Sequence, residues 1–330
     1  MVATPPNWNI KFFNLIYRYM NMLEKNYLAD LMKIFFKGFS QILVLNNATT
    51  GALILIAILV SGIETGNSTV IIYAISSAIL SPLLAYLMRY PKEDISNGIW
   101  GYNAILYGIA LSIFIPSTTF GAFFLIIGNI AIVLLTPLLT KALRGIPVLT
   151  MPFILATWGA TLASPFYEKS YITATQENYV MNLTEILIAT ITNYIEIFLL
   201  VGVLSGLLVM LGIFIANRTV FYLTLFISIS SVFLSRFDNT LTIQQIIDGM
   251  YGYNVILTAI ATFLFRKTSS RVNYILSGMV IMLTLLISHF LTIFLSSINL
   301  PLLTLPFVVS TWLYLLIQEY LNKSTLTKDA

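Results

Sequence analysis

Cysteine is absent, which excludes disulfides, thiolate metal sites and thiol catalysis. Histidine occurs once, at His289, and no acid stands near it in the sequence. No paired intramembrane aspartates, Ser–His–Asp arrangement or metal-ligand cluster appears, so enzymatic chemistry has no support. No phosphate-cradling loop pattern occurs either, which argues against ATP coupling. Charge is scarce: 9% of the 330 residues are charged against 58% hydrophobic, and mean hydropathy is +0.91. No soluble core needs so much apolar surface, so the chain reads as an integral membrane protein. The short alternating runs of membrane barrels are missing. The apolar runs are instead about the length of spanning helices, roughly 18 residues or more. A net charge of +4 suits basic loops at a membrane surface and does not suggest nucleic acid.

Residues 1–37 carry Lys11, Arg18, Lys25, Lys33 and Lys37 among aromatics, with no short apolar core and cleavage site. They read as a cytoplasmic, interfacial N-terminal segment. Ten apolar stretches follow, near 38–62, 67–88, 99–116, 119–140, 146–164, 183–215, 219–235, 250–265, 274–297 and 301–318. The polar stretch 165–182 divides them into 38–164 and 183–318, with 319–330 left as a C-terminal tail. A cytoplasmic N-terminus puts fifteen basic residues inside and only Lys169 and Arg236 outside, the bias expected of a correct orientation. Both termini are then cytoplasmic. An odd number of spans per half makes the second half enter from the opposite side, as an inverted-topology repeat.

The repeat is visible in the residues. "IPVLTMPFILATW" (146–158) returns as "LPLLTLPFVVSTW" (300–312), without a gap. "GIWGYNAILYGIA" (98–110) returns as "GMYGYNVILTAIA" (249–261). "QILVLNNATTG" (41–51) answers "EIFLLVGVLSG" (196–206), which sets Gln41 opposite Glu196. Duplication of a plain helical fold explains shared glycines. It does not explain why polar, proline and aromatic positions recur together.

A proline inside a helix leaves the carbonyl four residues earlier without a donor. Pro152 and Pro306 are therefore expected to free the carbonyls of Val148 and Leu302, beside the hydroxyls of Thr150 and Thr304. Unpaired backbone in hydrocarbon must be buried in protein or line a cavity. The expected arrangement is two half-helices meeting near the midplane, with oxygens along a narrow path suited to a solute rich in N–H donors. A kinked helix healed by neighbours is the bland alternative. Gln41 adds an amide oxygen, and Glu196 is the only acid well inside an apolar span, which makes it a functional-site candidate. The plain reading of Glu196 is a structural carboxyl tied to Asn193, Tyr194 or backbone. Tyr102 and Tyr253 offer ring faces, either as a flat slot or as ordinary packing.

These phrases resemble the urea transporter family. Its signature, LPxxTxPF, stands intact at Leu300–Phe307, and the first copy departs only at Ile146. The stretch 35–56 and both GYN segments are similar to its other conserved blocks, so the resemblance covers roughly residues 35–318. It implies an all-α integral membrane fold of two inverted repeats of five transmembrane helices each plus re-entrant half-helices, with a central pore per subunit in a homotrimer. It implies passive passage of urea and small amides with no cofactor, in a membrane that would be a bacterial inner membrane. By the same resemblance Gln41 and Glu196 receive urea N–H groups, and the backbone of Ile42 and Ile197 lines the filter. Tyr102 and Tyr253 would be slot aromatics, Leu106 and Leu257 their apolar neighbours, and Thr150 and Thr304 the central constriction. Where the family commonly carries phenylalanine, this sequence has Val44 and Leu199, so each slot would pair an aromatic with an aliphatic wall. Two rivals share these residues: a proton-coupled transporter titrating Glu196, and a less selective pore for small neutral solutes.

Overall fold

The computed structural model describes residues 27–115, 118–165, 167, 180–267 and 270–326. The expected interfacial segment before residue 27, most of the 165–182 connection and the last four residues lie outside them. All regular structure among the described residues is helical. The first half holds α1 (Tyr27–Ser40), α2 (Ala48–Glu64), α3 (Ser68–Leu87), α4 (Lys92–Ser96), α5 (Tyr102–Phe114), α6 (Thr118–Ala142) and α7 (Met151–Ala163). The second half repeats that order as α8 (Leu183–Ile195), α9 (Val203–Ala216), α10 (Arg218–Leu234), α11 (Ile243–Ile247), α12 (Tyr253–Leu264), α13 (Arg271–Ser297) and α14 (Leu305–Leu326).

α3, α6, α10 and α13 are long and apolar enough to cross a membrane singly. The pairs α1–α2 and α8–α9 do so only as bent units, turning by 78° and 77° at their breaks. α5, α7, α12 and the apolar part of α14 are shorter. At 1.5 Å per residue, 13 residues reach about 20 Å, less than the ~30 Å hydrocarbon core. Each half therefore has five apolar helical segments: two long, one bent and two short.

The bends were not expected. The apolar stretch 183–215 reads as one span and the first apolar stretch begins at 38, whereas α1 starts at Tyr27 and α8 ends at Ile195. Both broken helices end in a 3-10 turn, Gln41–Leu43 and Glu196–Phe198. Val44 and Leu199 then take φ +58, a left-handed conformation that costs a residue with a Cβ about 1–2 kcal/mol. Packing holds them there. A Cβ on Gly51 would come 1.7 Å from the Phe36 carbonyl oxygen, and one on Gly206 would come 2.5 Å from that of Ile191. The glycines shared by "NATTG" and "VGVLSG" thus let each second leg lie against the backbone of the first. Asn47 caps α2 by accepting from the Thr50 N–H at 3.1 Å.

Two hydrogen bonds establish the inversion. Thr50, at the start of α2, donates to the Gly212 carbonyl near the end of α9 at 2.8 Å. Ser205, at the start of α9, donates to the Ala57 carbonyl of α2 at 2.9 Å. Start meets end, so the equivalent helices run antiparallel about a pseudo-two-fold axis. Between them lies the main core, where Phe39, Phe153, Phe198 and Phe307 are almost fully buried. Large apolar side chains such as Ile72, Phe123, Phe226 and Phe290 point outward, as a lipid-facing surface requires.

Candidate functional site

The two proline phrases are helix starts rather than kinks. α7 and α14 begin at Met151 and Leu305, so Pro152 and Pro306 sit in a first turn, where a missing N–H costs nothing. The carbonyls expected to be orphaned are therefore satisfied. Val148 accepts from the Met151 N–H at 3.2 Å, and Leu302 from the Leu305 N–H at 3.4 Å. The unusual residues are the next ones along: Leu149 and Leu303 are left-handed, with φ +50 and +51.

The GYN motifs hold that conformation. The Tyr102 hydroxyl (2.7 Å) and Asn103 amide (3.2 Å) both donate to the Leu149 carbonyl. Tyr253 (2.6 Å) and Asn254 (3.3 Å) do the same to Leu303. Each asparagine oxygen accepts in return from the first turn of the following helix, from Phe153 N–H at 3.2 Å and Phe307 N–H at 3.3 Å. Tyrosine and asparagine together close a clamp around each break.

The two breaks meet. The hydroxyls of Thr150 and Thr304 lie 2.6 Å apart. Each phrase also ends in a tryptophan that reaches across to the other copy. Trp158 donates its indole N–H to the Pro301 carbonyl, and Trp312 donates to that of Pro147, both at 2.9 Å. Beside this junction lies a 630 Å³ cavity lined by Gln41, Ile42, Val44, Tyr102 and Thr150 from the first half and by Phe307 from the second.

Free acceptors come from the 3-10 turns. A helix end leaves carbonyls without intrahelical partners. Among the described residues no donor reaches the carbonyls of Ile42 and Leu43, or of Ile197 and Phe198. The Gln41 amide N–H donates to the Asn97 carbonyl at 2.9 Å, which fixes the side chain and leaves its oxygen available.

The family model described as "Urea transporter" matches residues 32–319. The chain belongs to the urea transporter family. Urea transporter 1 of sheep is 29% identical over 126 residues, covering 36% of this chain and 31% of the relative. Urea transporter 1 of mouse is 29% identical over 141 residues, covering 40% and 35%. The chain spans about a third of the length of the curated relatives it matches.

In this urea transporter family member five of the expected residues thus share one cavity. Thr304 joins them through Thr150. Glu196 opens the equivalent 3-10 turn in the second half and is 5% exposed. Its expected tethers are used elsewhere: Asn193 donates to Ser228 at 3.0 Å and Tyr194 bonds Thr224 at 3.1 Å. Among the described residues its carboxyl has no hydrogen-bond partner. Ile197 and Phe198 are fully buried, Tyr253 is nearly so, and Leu199 is partly exposed. Leu106 and Leu257 are fully buried in the core and do not line the 630 Å³ cavity.

Sequence reasoning passed over Asn103, Asn254, Trp158, Trp312 and Phe307. The signal was present, since each stands at a matching position of the repeated phrases. It also left His289 unpartnered. Asp238 meets its Nδ1 at 2.9 Å from 51 positions away, and no motif links the two. Among the described residues no group of three metal-ligating side chains occurs.

Proposed function

We propose that this membrane protein passes urea, and small amides like it, down their gradients through a conduit that crosses the Thr150–Thr304 junction. The observation that carries this reading is the meeting of those two hydroxyls beside a cavity that Gln41 and Ile42 of the first 3-10 turn also line. Urea is planar and neutral, with four N–H donors around one carbonyl. Gln41 and the 3-10 carbonyls of the first half receive it on one side. Glu196 and its equivalent carbonyls receive it on the other. At the centre the threonine hydroxyls exchange their mutual bond for bonds to the solute. Aromatic and aliphatic walls from Tyr102, Tyr253, Val44 and Leu199 exclude the hydration shell. Passage needs weak binding, and a millimolar site corresponds to about −4 kcal/mol.

The test is urea flux into proteoliposomes of purified protein with no ion gradient. Flux well above protein-free liposomes supports the reading, and a requirement for a proton or sodium gradient contradicts it. The buried, unpartnered Glu196 carboxyl favours one rival, proton coupling. Glu196→Gln separates them: a passive conduit keeps most of its flux, whereas a coupled transporter loses its response to pH. We assign no catalytic step and no cofactor. By family resemblance the assembly is a homotrimer in a bacterial inner membrane, with both termini cytoplasmic. The positive-inside count supports that orientation, and protease access to tagged termini in oriented vesicles tests it.

A further inference from the structure

The halves differ sharply in one place. In the first, α3, α5 and α6 close on each other around Tyr73 and Tyr107, whose rings lie against Gly121 and Gly128. Tyr107 donates to the Phe124 carbonyl at 2.7 Å, and Asn129 donates to Ser77 at 3.1 Å. A Cβ on Gly128 would lie 2.1 Å from the Tyr107 ring, so helix and ring are in direct contact. In the second half the repeat "GYNAILY" reads "GYNVILT", which puts Thr258 where Tyr107 stands. Thr258 accepts from the Thr284 hydroxyl at 3.3 Å and donates back to the Asn254 carbonyl at 2.9 Å. The volume of a tyrosine ring is missing, and α10 and α13 scarcely touch. A 550 Å³ crevice lies between α10, α12 and α13, lined by Leu223, Phe226, Ile227, Ile281, Met282 and Leu285 among others.

One cation stands in this apolar lining. Arg266, two residues past the end of α12, holds its guanidinium 4.4 Å from the Tyr274 ring centre and 5.0 Å from that of Phe263. Stacking on rings orients a guanidinium without neutralising it. Among the described residues no carboxylate lies within salt-bridge distance of Arg266. Lys267 and Arg271 flank it, so this end of the crevice opens at a basic stretch of the membrane boundary. The lining runs along α10 from Thr219 to Leu234, about 22 Å at 1.5 Å per residue. That exceeds the ~15 Å that one leaflet contributes to the hydrocarbon core.

We propose that the crevice is a lipid site: one acyl chain of an anionic phospholipid lies between α10, α12 and α13, and Arg266 holds its phosphate. A planar guanidinium with free N–H groups matches phosphate oxygens, and the apolar lining matches a hydrocarbon chain. The uncompensated charge at the mouth favours an anionic headgroup over a zwitterionic one. The inference does not depend on which solute the conduit passes.

Native mass spectrometry of the delipidated full-length protein tests it, with phosphatidylglycerol, phosphatidylcholine of the same chains, and soluble glycerol phosphate as probes. Phosphatidylglycerol is expected to bind about tenfold tighter than phosphatidylcholine, and glycerol phosphate not to bind. Arg266→Gln should weaken phosphatidylglycerol at least fivefold, while Lys267→Gln, on an exposed neighbour, should change it less than twofold. Gly278 lines the crevice with open space around its Cα, so Gly278→Phe should fill the crevice and remove bound lipid without unfolding the protein. Unchanged size-exclusion profiles and melting temperatures in all three variants check that they fold. Equal binding of the two lipids, equal effects of Arg266→Gln and Lys267→Gln, or full lipid occupancy in Gly278→Phe would each overturn the proposal. So would a Gly278→Phe change in oligomeric mass with lipid binding intact, because a second copy of the chain would then be the occupant.

Discussion

The hydroxyls of Thr150 and Thr304 are 2.6 Å apart although 154 residues separate them. Both are almost fully buried, so each is the other's polar partner. Replacing either by valine keeps the shape and strands the other hydroxyl, which costs about 1–3 kcal/mol. Replacing both removes the stranded group. Thr150→Val and Thr304→Val should therefore each destabilise, and the double variant should lose less than their sum. A double-mutant cycle on thermal unfolding in detergent measures the coupling, expected at about 1 kcal/mol. Independent, additive losses would mean that the two breaks do not meet.

The clamp on each break gives a second expectation. Asn103→Ala removes a donor to Leu149 and leaves the buried Phe153 N–H without its acceptor. Tyr102→Phe removes only one donor from a carbonyl that keeps another. The asparagine change should cost about 1–3 kcal/mol, and the tyrosine change about 1 kcal/mol or less. Asn254→Ala and Tyr253→Phe should follow the same order. Equal losses within each pair would show that the asparagine does not close the clamp.

Glycine spacing gives a third. Gly51→Ala would place its Cβ 1.7 Å from the Phe36 carbonyl oxygen, against backbone that cannot yield. Folded yield by size-exclusion chromatography should collapse. Gly159 is a helical glycine with nothing within 4 Å, so Gly159→Ala should be neutral or stabilise by up to about 1 kcal/mol. Normal yield from Gly51→Ala would mean that α1 and α2 pack less closely than they do here.

Val44 and Leu199 bear on selectivity. Both are left-handed already, so a phenylalanine there meets no new backbone cost. Val44 lines the 630 Å³ cavity, and a ring would narrow it. Val44→Phe should lower acetamide and thiourea flux several-fold relative to urea. An unchanged ratio across the three solutes would remove Val44 from the conduit wall.

Much of this was legible in the residues. The paired phrases at 146–158 and 300–312 located the junction, and the odd number of segments per half gave the inversion. The repeat offsets put Gln41 opposite Glu196, and both open 3-10 turns. The origin of the free oxygens was not legible. Proline drew attention to Val148 and Leu302, but a first-turn proline removes no acceptor's partner. The free carbonyls come instead from breaks after Gln41 and Glu196, with no proline to mark them. The break arises from tertiary packing, at residues such as Val44 that rarely choose φ +58 unaided. Likewise, nothing local predicts that a tyrosine will spend its hydroxyl on a carbonyl 47 residues away.

The chain's lack of cysteine makes the central claim directly measurable. The double variant Thr150→Cys, Thr304→Cys places two thiols at the junction, with no background thiol to compete. Urea flux into proteoliposomes is recorded before oxidation, after it, and after reduction. The account predicts that a disulfide forms, that flux falls more than tenfold, that reductant restores it, and that neither single variant responds. A disulfide that forms while urea passes at full rate would contradict it, because the solute would then cross somewhere other than between these two residues.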